Sequence, residues 1–411
     1  MNKKKKLVPE LRFPEFEKDG EWEYLNGDKL FEPISNKNHN SDLPILAITQ
    51  EQGAIPRDLI DYNVVVSEKS IKSYKVVEVG DFIISLRSFQ GGIEYSNYLG
   101  LCSPAYIVLR KKQNISNDFY RHYFKSFPFI QDLNKNLEGI RDGKMVSYKQ
   151  FSDILIPKPI KPEQQKIASC LSSLDELIAA HNEKLEALKE HKKGLMQNLF
   201  PQKGEKVPKL RFPEFEKDGE WVEKALGEVA IFTKGKGISK SDIVENGILP
   251  CIRYGELYTD YSETISDIKS YTNLDGENLV LSEENDVIIP TSGETHIDIA
   301  RASCVMRKGV ALGGDLNIIK TKINGVFLSY YLNNTKKRDI AQIAQGISVV
   351  HLYANQLKTL ILNLPKPKEQ QKIASCLSAL DELIKAQTEK IEQLKEHKKG
   401  LMQGLFPKMI K

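Results

Sequence analysis

This chain is written twice, and that limits its possible folds more than any other feature. Residues Val8 to Trp22 read VPELRFPEFEKDGEW, and Val207 to Trp221 read VPKLRFPEFEKDGEW. A second near-identity joins Glu163 to Pro201, EQQKIASCLSSLDELIAAHNEKLEALKEHKKGLMQNLFP, with Glu369 to Pro407, EQQKIASCLSALDELIKAQTEKIEQLKEHKKGLMQGLFP. Two matches in the same order mean a duplicated unit. Between them, residues 23 to 160 and 222 to 366 share only a faint frame: GDFIIS at Gly80–Ser85 against NDVIIP at Asn285–Pro290, and IPKP at Ile156–Pro159 against LPKP at Leu364–Pro367. A duplicated enzyme would tend to repeat its reactive residues. Here the repeated parts are helical and structural while the inserts differ throughout, so the inserts read as two readers for two different targets.

The shared block predicts a long helix with a heptad seam. Ile167, Leu171, Leu174, Ile178, Leu185, Leu188, Leu195 and Leu199 recur at steps of four and three, and Ile373, Leu377, Leu380, Ile384, Ile391, Leu394, Leu401 and Leu405 repeat the pattern. Pro162 sits just ahead of the first helix, and Pro201 and Pro407 close the two copies, because proline cannot continue a helix. A lone helix of this kind would leave its seam wet. The simplest partner is the other copy, packed antiparallel about a pseudo-two-fold axis. His181 and Gln387 fall at equivalent seam positions, as a register-fixing polar layer or as tolerated half-exposed residues. Lys192 and Lys398, also on the seam, are expected to snorkel to solvent. Both copies keep the string KEHKKGLMQ (Lys189–Gln197 and Lys395–Gln403), which the seam does not demand; it fits a solvated exterior or a partner surface.

Length and composition set the outer bounds. A chain of 411 residues exceeds what one hydrophobic core usually serves, and 40% apolar with 28% charged residues lies in the globular range. The expected division is a first globular domain over 1–160, a helical spacer over 161–201, a second domain over 202–366 and a second spacer over 367–411. A net charge of +4 and a pI near 8.5 are compatible with a nucleic-acid partner without requiring one. The run Lys3 to Lys6 reads as a solvated tail. Five cysteines, an odd number with no CxxC pair, point to a reducing compartment and no metal site. No apolar stretch follows the N-terminal lysines and none is long enough to span a bilayer, which predicts a cytoplasmic protein.

This pattern resembles the specificity subunits of Type I restriction-modification systems, over essentially the whole chain. The most specific carriers are EQQKIASCLS (Glu163–Ser172 and Glu369–Ser378), the KGLMQ-LFP ends (Lys193–Pro201 and Lys399–Pro407) and LRFPEF (Leu11–Phe16 and Leu210–Phe215); SPAYIVL at Ser103–Leu109 and GISVVHL at Gly346–Leu352 look like strand-and-turn signatures. The resemblance implies an α/β fold: two globular target-recognition domains separated by two long antiparallel coiled-coil helices. It implies a bipartite double-stranded DNA site, two modification subunits that methylate adenine N6 from S-adenosylmethionine, and two motor-nuclease restriction subunits that use ATP and Mg. Those cofactors and activities belong to the partners, and this chain is expected to hold none.

The residues agree with that division. A methyltransferase needs a glycine-rich cofactor loop after a strand and an NPPY-like tetrapeptide. The nearest tetrapeptide, Asn363-Leu364-Pro365-Lys366, lacks the second proline and the aromatic, and TKGKGIS at Thr233–Ser239 lacks the G-K-[ST] end of a phosphate loop. A coiled-coil interaction adaptor without a DNA role is the competing reading.

DNA contacts are expected where a buried strand ends in polar residues, since base reading needs hydrogen-bonding side chains and phosphates need Lys, Arg or backbone donors. In the first insert the run Phe82–Ile84 breaks into Ser85, Arg87, Ser88 and Gln90, and Arg141, Lys144, Ser147, Tyr148 and Lys149 form a polar, aromatic loop. In the second, Val287–Ile289 breaks into Thr291, Ser292, Glu294, Thr295 and His296, the loop with Ser348 and His351 is the counterpart, and Lys234, Lys236, Lys240, Arg253 and Tyr254 add basic and stacking groups.

Overall fold

The computed structural model describes residues 8–40, 42–60, 68–135 and 146–407. The Lys3–Lys6 run lies outside them. The chain divides into two compact units, one of Met1–Asn182 with Glu389–Lys411 and one of Glu183–Thr388. Each is α/β. The long helices Lys161–Asn198 and Pro367–Leu405 each contribute one segment to each unit. Pro162 stands inside the first turn of its helix, where a missing N–H costs nothing.

In the first unit, strand Glu23–Asn26 pairs antiparallel with Leu155–Lys158, so the insert begins and ends side by side. Its central antiparallel sheet runs in the order Phe31–Ile34, Ile107–Lys111, Phe82–Ile84, Glu94–Tyr95. Helices Asn117–Tyr123, Phe127–Lys135 and Tyr148–Ser152 cover it. The core between them is aromatic, with Phe31, Phe82, Phe119, Tyr120, Phe124 and Phe151 all fully buried. Ile167 and Leu171 of the first long helix and Leu405 and Phe406 at the end of the second complete that core.

The second unit repeats the frame. Val222–Ala225 pairs with Ile361–Leu364, and a five-stranded sheet runs in the order Ala230–Lys234, Leu316–Thr321, Asp286–Pro290, Ser303–Val305, Thr264–Ile265. Only its last pair is parallel. Helix Gly325–Asn333 covers it, and Leu199 and Phe200 fill the core beside Trp221, Phe327 and Tyr331. Ile373, Ala374 and Leu377 join them from the second long helix.

The shared motifs anchor helix to domain by the same contacts in both units. The Arg12 guanidinium grips the buried Glu163 carboxylate at 2.8 and 2.9 Å, and Arg211 grips Glu369 at 2.8 and 2.8 Å. Gln164 accepts from Ser116 N–H at 2.8 Å and donates to Pro159 O at 2.7 Å; Gln370 accepts from Asn324 N–H at 3.0 Å and donates to Pro365 O at 2.9 Å. Ser116 and Asn324 are themselves the N-caps of the following insert helices. Lys166 and Lys372 lie over the rings of Phe13 and Phe212, both at 5.4 Å, and pair with Glu15 and Glu214. The EQ of EQQKIASCLS and the Arg of LRFPEF are thus the two halves of one buried clamp, with the Lys–Glu pair exposed beside it.

Within each unit the two helix segments run antiparallel. In the first, Ile167 and Leu171 share a core with Leu405 while Asp175 is bonded to Lys398; in the second, Leu199 shares a core with Ile373 and Lys192 pairs with Asp381 at 2.6 Å. Every apolar seam position is buried or half-buried. The seam lysines do not snorkel. Lys398 is held by Asp175, and Lys192 by Asp381 and, at 3.4 Å, Glu263; both are about four-fifths buried, since each finds a carboxylate on the facing elements. His181 is half-buried and Gln387 buried. Among the described residues no helix is long and apolar enough to cross a membrane.

Candidate nucleic-acid interface

The frame strand enters both sites the same way. Gly80 (φ +96°) and Asn285 (φ +74°) occupy the left-handed region, where glycine is unstrained and asparagine is the commonest substitute. Asp81 and Asp286 follow. Their carboxylates accept from the N–H of Glu78 and Glu283 and bind a cation from the neighbouring strand, Arg110 in one unit and Lys320 in the other, each at 2.8 Å. The strand is then wholly buried, Phe82–Ile84 or Val287–Ile289.

Beyond it the units part. In the first, the chain turns into a short helix, Ser88–Gly91. Ser88 is buried and its hydroxyl accepts from Ser85 N–H at 2.9 Å, so it holds the turn and is not available to a base. Arg87 and Gln90 are exposed on either side of it. Arg141 and Lys144 lie outside the described residues. Tyr148 and Lys149 stand in helix Tyr148–Ser152, where a loop was expected. The sequence S-Y-K-Q explains this: Ser147 and Gln150 form a capping box, a helix start rather than a loop signal. Tyr148 packs against Phe151 and donates to Phe31 O at 3.1 Å, and burial pushes its phenol up; Lys149 is exposed. Ser147, the helix N-cap, is also exposed.

In the second unit the chain continues into strand Ser292–Gly293, which pairs with Val350–His351 as a two-stranded ribbon. Two clefts flank this ribbon and share Ser292. One, of about 560 Å³, gathers Lys234, Thr291, Asp315, His351 and Tyr353. The other, of about 570 Å³, gathers Tyr254, Tyr258, Glu294, Asp298, Arg301 and Ser348. Lys236, Lys240, Thr295 and His296 are exposed outside these clefts. Several of the expected contacts are engaged within the protein. Thr291 is buried, with its hydroxyl near Asp315; Thr295 donates to Asp298 at 2.6 Å; Arg253 is held by Glu256 at 3.0 and 3.2 Å. Lys234, Tyr254, Glu294 and Ser348 are exposed, and Ser292 and His351 half-exposed. Sequence reasoning missed Tyr353, which stacks on His351 with ring centroids 6.0 Å apart, and Tyr258, whose hydroxyl donates to Ser292 O at 3.0 Å. Y-x-x-x-Y at Tyr254–Tyr258 was the available signal; the two rings meet edge to face, 6.4 Å apart, across the start of the short helix Glu256–Thr259.

The first unit also holds a cleft of about 420 Å³ that no motif indicated. Arg121, His122, Lys125, Glu94, Asp175 and Lys398 line it. His122 Nε2 meets Ser172 Oγ at 3.1 Å, and Lys125 pairs with Glu94 at 2.6 Å. Burial, reinforced by Lys398, holds the His122 imidazole down to about 4 and so keeps it neutral.

The profile of the Type I restriction modification DNA specificity domain family matches residues 22–190 and 218–396, one match to each repeat. The chain belongs to the Type I restriction-modification specificity subunits. It is 26% identical over 355 residues to the MjaVIII specificity subunit of Methanocaldococcus jannaschii, covering 82% of this chain and 80% of that one. It is 25% identical over 403 residues to the putative MjaX specificity subunit of the same organism, covering 94% and 89%. In fold it is similar to the S subunit of a type I system from M. genitalium, with TM-score 0.58, 15% identity and coverage of 98% and 100%. A second likeness, with TM-score 0.55, 16% identity and coverage of 94% and 98%, is to a chain solved in work on complex assembly and conformational transition of the type I R-M system. As a specificity subunit it is the DNA-binding, non-catalytic member of a multi-subunit restriction-modification complex.

Proposed function

We propose that each globular domain of this specificity subunit reads one half of a bipartite DNA site, and that the long helices dock two modification subunits and set the gap between the half-sites. One observation carries the reading. The clamp of Arg12, Glu163 and Gln164 recurs contact for contact as Arg211, Glu369 and Gln370, while the polar ends of the two central strands are built differently. One frame with two unlike polar surfaces suits two unlike half-sites. Arg87, Gln90 and Lys149 in the first domain and Lys234, Lys236, Tyr254, Ser292, Glu294, Ser348 and His351 in the second are the groups we assign to DNA. Docking is supported by the outer faces of the helices: Leu177 and Leu383 stand at equivalent positions and are 42% and 54% exposed, and both copies of KEHKKGLMQ present mostly exposed residues. In this reading the modification subunits supply S-adenosylmethionine chemistry, and two restriction subunits join for cleavage.

The test is exchange of residues 23 to 155 for the insert of another specificity subunit, with methylation mapped at base resolution. One half-site changes and the other stays; alteration of both would mean the domains are not independent readers. The ruler is tested by four residues inserted near Ala187, which add about one helical turn, ~6 Å. At ~3.4 Å per base pair the gap grows by about one to two base pairs. An active enzyme with an unchanged gap would exclude the helices as the ruler.

A further inference from the structure

The two clefts of the second domain differ in charge. Lys234 stands in one. In the other the single cation is Arg301, and its guanidinium already donates to the carbonyl oxygens of Tyr258 and Tyr261 at 3.3 and 3.1 Å. Of the two carboxylates in that cleft, Asp298 is engaged in its own turn, accepting from Thr295. Glu294 is different. It is exposed at the end of the ribbon, on the residue after Gly293, and has no hydrogen bond or ion pair to any described residue. Ser292 and Ser348 flank the same cleft.

Duplex DNA carries a negative charge about every 1.7 Å along its axis, so a free carboxylate repels the backbone wherever it meets it. Such a group is compatible with a DNA-facing cleft only if it meets a donor. In the major groove the bases offer one kind of donor, the exocyclic amino group, cytosine N4 or adenine N6. We propose that Glu294 reads such an amino group at one position of the half-site bound by the second domain, with Lys234 across the ribbon turned to the phosphates. This rests on the second domain being a half-site reader. Tyr258, bonded to Ser292 O at 3.0 Å, fixes the ribbon from which Glu294 projects and is a positioning residue.

The experiment uses the full chain assembled with its modification subunits, as wild type, Glu294→Ala and Glu294→Gln, with methylation mapped at base resolution. Glu294→Ala lowers discrimination at one position of one half-site by roughly 5- to 150-fold, the range of one good base contact, and leaves the other half-site and the gap unchanged. Glu294→Gln favours adenine at that position, because an amide both donates and accepts. In parallel, DNA binding by the wild-type complex and by Glu294→Ala is measured on duplexes in which each cytosine or adenine of the second half-site, the methylated adenine excepted, is replaced in turn by its analogue lacking the amino group. One replacement weakens wild type by a similar factor and has no effect on Glu294→Ala; whether it is the cytosine or the adenine analogue identifies the base. Unchanged discrimination at every position in Glu294→Ala, or a wild type indifferent to every amino deletion, overturns the assignment. A wild-type complex that methylates with no bipartite sequence requirement would instead remove the half-site reading beneath it.

Discussion

The two recognition domains are most alike where the long helices meet them and least alike where the central strand comes out of the core. Toward the helices even the differences are substitutions within one arrangement. The carboxylate of Asp175 is shared by Lys398 and His122, and that of Asp381 by Lys192 and Tyr330. The Trp221 indole N–H donates to Glu369 at 3.3 Å, whereas that of Trp22, equally buried, has no acceptor among the described residues. Past the central strand the likeness ends, with a helical turn in one domain and a ribbon between two clefts in the other. Buried pairs must change together, so both halves of a clamp persist through duplication. Solvent-facing loops carry no such constraint and are free to diverge.

The clamps offer the hardest test of that likeness. Glu163→Ala leaves Arg12 buried without its partner, and loss of one member of a buried ion pair costs about 3–5 kcal/mol. Glu369→Ala does the same to Arg211 and also strands the Trp221 N–H, adding about 1 kcal/mol. The chain has two tryptophans, one in each unit, so single-Trp variants report each domain separately in denaturant. Glu163→Ala shifts the Trp22 transition and Glu369→Ala the Trp221 transition, the second by more. Equal shifts in both probes would mean the clamps are not local to their domains.

Next in size are the aromatic plugs. Phe406 sits against Phe119 and Tyr123 at 5.5 and 5.6 Å, and Phe200 against Trp221 and Tyr331 at 6.5 and 5.3 Å. Truncation to alanine costs about 3–5 kcal/mol for a core phenylalanine. Phe406→Ala, although near the end of the chain, therefore lowers the transition seen by Trp22, and Phe200→Ala that seen by Trp221. A Phe406→Ala chain whose Trp22 transition is unmoved would show that the plug is dispensable.

These cases also mark what could be read from sequence. The heptad seam was legible because its spacing is set by helix geometry alone, and every seam position is covered. The pairing of Arg12 with Glu163 was not, because 151 residues separate them and neither motif names its partner. Lys192 and Lys398 were misread for the same reason: a lysine on a seam looks fit to snorkel until Asp381 and Asp175 are placed beside it. At the candidate sites, whether a polar residue after a buried strand is exposed is decided by the turn that follows. Ser88 and Thr291 face inward, and Tyr148 starts a helix whose capping box stood in the sequence. The sequence offers Glu294 as one candidate among several; only the occupied hydrogen bonds of Asp298 and Arg301 around it separate it from them.

The histidine–tyrosine difference at the helix carboxylates has a smaller, pH-dependent consequence. Burial holds His122 down to about 4, with Lys398 and Arg121 acting in the same direction and Asp175 against. As pH falls below ~6.5, the unfolded chain takes up a proton that the folded domain refuses until about 4, so stability is lost across that interval. Tyr330, pushed up by burial and by Asp381, has no such titration at acid pH. Between pH 6.5 and 4 the Trp22 transition of wild type therefore falls faster than that of His122→Gln, while the Trp221 transition is the same in both. Parallel Trp22 curves for wild type and His122→Gln would rule out a proton-linked cost at this site.

The smallest effect is the one that joins the two halves to their partners. Gly194 and Gly400 lie inside the long helices at equivalent positions, and a Cβ built on either meets nothing within 4 Å. Glycine within a helix costs about 1 kcal/mol relative to alanine through the freedom it has when unfolded. No contact among the described residues asks for it, yet both repeats carry it in the middle of KEHKKGLMQ. A surface that another chain approaches closely would account for it, with the modification subunits we propose as the approaching chains. Gly194→Ala and Gly400→Ala are then each expected to stabilise the free subunit by up to about 1 kcal/mol, and to weaken its assembly with the modification subunits in a titration followed by methylation rate. Variants that gain stability and assemble as well as wild type would show that the glycines leave room for nothing.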